Sequence, residues 1–267
     1  MLQICNFAYG LLNAKIKNED LLLELALDQN VDDLSRCLAI GKIRNKEYLA
    51  QLVKKIENED LRLFSICVLA DAKLLQRYAR EGSNNDMRKS ASIMHDMLQL
   101  NDFELYNLYQ ESIKGMTKDE DRCLAALMHM KDLDLLTDIV LNGKMDEDIF
   151  ALIKIDSQEH LTRIVQRCEG EKLGYALYAL MNITNQTVLS EIAKSHPIKS
   201  ISLLAATRLN DKQLAQSLYE KILLEEDDSV RQGAISLLTN RAILQEIKEN
   251  SFNDGDRKEA ENRLKEL

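Results

Sequence analysis

An all-α fold, a stack of about nine to ten short two-helix units, is predicted by three observations. A pattern of about 26 residues recurs along the 267-residue chain, and two columns of residues keep register through it. Composition also favours helix: 5% aromatic, one Pro, nine Gly and no Trp, against 45% hydrophobic content. Such a mixture suits helices and disfavours a many-turned β fold.

Asp228–Asn250, DSVRQGAISLLTNRAILQEIKEN, is the clearest copy of the unit. Asp228 or Ser229 is expected to cap its first helix, because a short side-chain oxygen can accept from the open N–H groups of the first turn. Ala234, Ile235, Leu237 and Leu238 then share one stripe at helical spacing, Thr239 and Asn240 mark a turn, and Leu244 and Ile247 begin a second stripe. Neither helix buries its stripe alone, which requires stacked neighbours.

Anchored on Arg231, the spacing runs forward to Arg257 and back through Lys199, Leu173, Asp148, Arg122, Arg88, Arg62 and Arg36 to Gly10. Three residues after the anchors stands a small residue: Ala39, Ser65, Ala91, Ala125, Ala151, Ala176, Ser202, Ala234 and Ala260, with Asn13 beside Ala14 in the first unit. The second stripes open on Leu23, Leu49, Leu75, Leu105, Leu135, Leu161, Leu189, Leu214 and Leu244. A small side chain lets helix axes approach to about 8–10 Å, and the leucine fills the space between layers.

Taken in order, 1–30 form an N-terminal cap unit, 31–253 the repeats and 254–267 a polar C-terminal capping helix, all within one domain. Residues 87–119 make a longer unit, its extra residues expected in loops at MLQLND and ESIKGMTKDE. In 173–196 the second helix is expected to be late and short, and Pro197 to open the next helix, where its missing N–H costs nothing.

The turn Asp followed by Val-Arg, the small residue three on and the leucine-opened second helix together resemble the HEAT-repeat superfamily, in particular short bacterial HEAT-like units and leucine-rich-repeat variants. The resemblance covers nearly the whole chain, although the period is shorter than the ~40–47 residues of most HEAT units. It implies a right-handed α-solenoid, with first helices outside, second helices lining the inner surface, and a protein-binding role.

A net charge of −9 argues against general nucleic-acid binding. Five Cys at Cys5, Cys37, Cys67, Cys123 and Cys168, none closely paired, read as reduced thiols of a cytoplasmic protein. No apolar run reaches the ~20 residues of a membrane span, and the start carries no signal-peptide pattern. Asp60, Asp86, Asp119, Asp146 and Asp228 are expected to cap first helices. The recurring arginines read as an ion-paired ladder joining units.

His95 and His129 share one position and are expected to be hydrogen-bonded core residues. His160 and His196 supply no third ligand, so no metal or cofactor is expected. The acidic runs at 119–121 and 146–148 are expected in solvated turns, and no glycine-rich phosphate loop, GxSxG or HExxH motif is present. The asymmetry worth pursuing lies on the second helices, where Lys54, Arg77, Arg80, Arg163, Gln166, Arg167 and Lys194 are expected on the inner surface. They fit an acidic protein or extended peptide, with no membrane or nucleic-acid partner. The main reading is a non-enzymatic interaction scaffold. The alternative is an enzyme of HEAT-like fold, of DNA glycosylase or bilin lyase type, which the absence of Trp and the negative charge disfavour.

Overall fold

The computed structural model describes residues 18–114, 120–143, 148–225 and 227–267, with the backbone alone at 114, 120 and 121. Among them are eighteen α-helices and no strand, so the all-α expectation holds. They run α1 (Glu19–Leu27), α2 (Asp33–Lys42), α3 (Lys46–Lys55), α4 (Glu59–Leu69), α5 (Ala72–Glu81), α6 (Asn85–Met97), α7 (Asp102–Lys114), α8 (Glu120–His129) and α9 (Leu133–Asn142). Then follow α10 (Asp148–Leu152), α11 (Gln158–Arg167), α12 (Leu173–Asn182), α13 (Gln186–Ser195), α14 (Lys199–Thr207), α15 (Lys212–Ile222), α16 (Asp228–Ile235), α17 (Arg241–Asn250) and α18 (Asp254–Glu266). Helices pack in adjacent pairs, and the chain divides into two compact units, Met1–Asn182 and Ile183–Leu267.

The turns explain the segmentation. Asn18, Asn45, Asp71, Asp132, Asn185, Asp211 and Asn240 each cap a second helix, accepting from N–H groups two or three residues on. Four residues after these caps stand Leu22, Leu49, Leu75, Leu136, Leu189, Ala215 and Leu244, all buried. The leucine column is therefore real, but in three units it is displaced by one. Leu22 replaces Leu23, Leu136 replaces Leu135 and Ala215 replaces Leu214, because the cap, not the first leucine, sets the register. The small column is buried throughout, from Ala39 to Ala260.

First helices are capped one or two residues earlier than expected: Asn58 stands two before Asp60, Asn84 two before Asp86 and Asp227 one before Asp228. Asp32, Asn58, Asn84, Asp227 and Asn253 are the caps. Asp60, Asp86 and Asp228 sit inside the first turn, where they meet the positive helix end without capping it. Asp119 and Asp146, with Cys5, Gly10, Asn13 and Ala14, lie outside the described residues.

Other differences are local. Part of the extra length of 87–119 goes into helices, since α6 and α7 have 13 residues each. Of MLQLND, 98–101 form the connection between them, and of ESIKGMTKDE, 111–114 belong to α7 while 115–119 lie outside the described residues. Helix α13 keeps ten residues rather than shortening. Pro197 lies one residue before the cap Ile198, and His196 Nδ1 accepts the Ile198 N–H at 3.1 Å. Helix α16 stops at Ile235, so Leu237 and Leu238 belong to the following turn.

In the unit ending at Asn182 the first helices lie inside. Helices α2 and α4 each bury six residues, whereas α5 buries only Leu75 and α3 only Leu49 and Leu52. First helices far apart in sequence meet: Phe64 and Phe150 rings lie 5.5 Å apart, and a Cβ added at Gly41 would stand 2.7 Å from Ile153 Cδ1. That corrects, for this unit, the expectation that second helices line an inner surface. The small and apolar first helices fill the interior, and the amphipathic second helices face water.

Candidate functional site

The recurrent arginines are the first chemistry to locate. Arg62 donates to the Ile56 carbonyl at 2.7 and 2.9 Å, Arg88 to Gly82 at 2.7 Å, Arg231 to Glu225 at 2.9 Å and Arg257 to Ser251 at 2.5 Å. Each acceptor lies six residues upstream, at or just beyond the end of the preceding second helix. Arg36 instead reaches ten residues back to the Ala26 carbonyl at 3.1 Å. The same guanidinium groups meet polar groups in their own first turn: Arg36 with Asp33 at 3.2 Å, Arg231 with Asp228 at 2.5 Å, Arg88 with Asn85 and Arg257 with Asp254. A cation near a helix N-terminus is unfavourable by itself. Here the charge is carried to the carbonyl end of the previous helix, where it is favoured. Arg231 also binds the buried Asp256 at 2.6 Å. These residues are structural fasteners and leave little charge for a ligand.

Lys54, Arg77, Arg80, Gln166, Arg167 and Lys194 are exposed, on α3, α5, α11 and α13, while Arg163 is half-exposed. Arg163 holds Asp134 at 2.5 Å, and His160 approaches the same carboxylate at 3.4 Å. The Arg163 hydrogen bond keeps the Asp134 carboxyl below its usual range. The seven residues do not form one cluster. Arg77 and Arg80 share α5, Arg163, Gln166 and Arg167 share α11, Lys54 stands on α3, and Lys194 belongs to the other compact unit. Helix α5 is the strongest element of the set. It turns Lys73, Arg77 and Arg80 to solvent at i, i+4 and i+7.

The histidines take separate partners. His95 Nδ1 lies 3.4 Å from its neighbour Asp96, whereas His129 Nε2 lies 3.5 Å from Cys67 Sγ. Burial, with the Lys154 and Lys131 fields, pulls His129 down to about 4, so its imidazole is neutral near pH 7. Burial pushes the Cys67 thiol up to about 12. A neutral imidazole beside a neutral, fully buried thiol is not an activated nucleophile. Cys37, Cys67, Cys123 and Cys168 are all outside disulfides. Among the described residues no group of three or more His, Cys, Asp or Glu side chains is placed to hold a metal, and no helix is long and apolar enough to cross a membrane.

One polar assembly escaped the sequence reading. Lys154, just beyond α10, donates to the Leu127 carbonyl at 2.7 Å, the Met128 carbonyl at 2.6 Å and the Met130 carbonyl. Its ammonium thereby closes the end of α8. Burial draws its pKa down to about 7, and Arg44 adds to the fall. Arg44 and Lys131 occupy turns that lead into second helices, each directly before a cap, Asn45 and Asp132. Lys42 lies 5.9 Å over the Tyr178 ring, which belongs to α12. The available signal was a basic residue in the turns after first helices, but only the approach of Gly41, near the end of α2, to Met128 and Ile153 brings those turns together.

No protein-family model, no curated protein and no solved structure matches the chain.

Proposed function

We propose that the chain is a HEAT-like, right-handed α-solenoid of two-helix units with a period of about 26 residues, working as a non-enzymatic cytoplasmic scaffold for a protein or extended peptide. The observation that carries the reading is the solvent-facing row Lys73, Arg77 and Arg80 on α5, set on a chain of net charge −9. With Lys54 on α3 and Arg167 on α11, it supports an acidic partner. Arginine makes charge-assisted and bidentate bonds to carboxylates, and cations on separate helices are reached together only by an extended ligand. Arg163, tied to Asp134, contributes less than its position in the sequence implied.

The test is affinity capture from native lysate with the whole chain and with Arg77→Glu/Arg80→Glu. A partner retained by the first and lost by the second supports the reading, and so does a binding constant that weakens steeply with salt. A partner held equally by both moves the site elsewhere.

A further inference from the structure

We propose that Arg44 and Lys131, beside the Lys154 ammonium, form a binding site for a multiply charged oxyanion of the phosphate class. Packing brings the turns that carry Arg44, Lys131 and Lys154 together. Gly41 meets Ile153 and Met128, so the ends of α2, α10 and α8 converge, with the Lys42, Lys154 and Lys131 turns directly after the contact. Lys154 is fixed by its three carbonyl acceptors and forms the floor. Arg44 and Lys131 are exposed above it, each from a different turn. Neither makes a side-chain hydrogen bond or ion pair among the described residues. Helix-end stabilisation accounts for Lys154, but not for Arg44 and Lys131.

The nearby carboxylates are largely committed to backbone. Glu19 accepts the N–H groups of Arg44 and Asn45 at 3.0 Å each, and Asp102 accepts the Lys131 N–H at 2.5 Å. Asp71 and Asp132 cap α5 and α9. Asp156 stands exposed, two residues after Lys154. Burial is the main cause of the lowered Lys154 pKa, and Arg44 and, more weakly, Lys131 add to it against the opposing charge of Asp102, so the three cations share one field. A single carboxylate would answer one of them. An oxyanion with two or more charges answers several, accepting the Arg44 fork and the ammonium donors of lysine together.

The probe is inorganic pyrophosphate, titrated calorimetrically into the whole chain at constant ionic strength, with sodium chloride as control. Binding above the chloride control is expected, with a raised melting temperature. Arg44→Glu/Lys131→Glu should weaken it by roughly tenfold or more, while Lys89→Glu/Arg241→Glu, an equal charge change at exposed residues elsewhere, should leave it unchanged. Circular dichroism checks that the variants are folded, and Arg44→Gln/Lys131→Gln replaces the reversal should it unfold. Equal affinity in the two variants, or no binding by the unaltered chain beyond chloride, overturns the proposal. Either result leaves the α5 scaffold reading to its own test.

Discussion

At the scale of single residues, His129 and the small column carry the sharpest consequences. His129 has a folded pKa of about 4 against 6.5 for an unburied imidazole. Between those values the unfolded chain binds a proton that the folded chain does not, so stability must fall as pH drops from 6.5 toward 4. Half-buried as the ring is, a loss of about 1–3 kcal/mol is expected. Urea midpoints at pH 7 and pH 4.5 measure it. His129→Gln should flatten the profile over this window, and an unchanged slope would place the proton elsewhere. Ala151 and Ala234 are fully buried, so Ala→Leu at either should cost about 1–3 kcal/mol through overpacking. Gln166→Leu, at an exposed site, should shift the midpoint little. Both small-column positions were readable from sequence because a small residue recurred at constant offset from the anchor.

Among the elements, capping decides where each helix begins. Asn58 accepts from the Asp60 and Leu61 N–H groups at 3.0 and 3.1 Å, whereas the Asp60 side chain is exposed within the turn. Asn58→Ala should therefore cost about 1 kcal/mol, and Asp60→Ala no more than a few tenths. Chemical denaturation of the two variants distinguishes the true cap. The sequence signal misled here because several helices open on consecutive short polar residues, and periodicity alone does not separate a cap from the first turn. Arg88→Ala removes a charged donor from the Gly82 carbonyl and should cost about 1.5–3 kcal/mol, against near zero for exposed Lys89→Ala. The ladder of arginines was legible as a column, but its acceptors were not. Six residues upstream lies a helix end whose carbonyl becomes reachable only when the chain doubles back.

For the whole molecule, the helical class was legible because composition, period and both columns agreed on it. The inward placement of first helices in the 18–182 unit was not. Lys42 reaching Tyr178, or Phe64 reaching Phe150, depends on curvature summed over several units, and no local pattern encodes that sum. Far-ultraviolet circular dichroism should show helix without a strand component, and a substantial strand signal would overturn the all-α assignment. The arginine fasteners carry one more consequence. For Arg62, Arg88, Arg231 and Arg257, guanidinium and acceptor carbonyl lie only six residues apart, so each joint is written into one short stretch of chain. A segment duplicated in tandem would bring its own joint with it, ready-made. Lengthening such a chain by copying would then require no compensating change in the units already present.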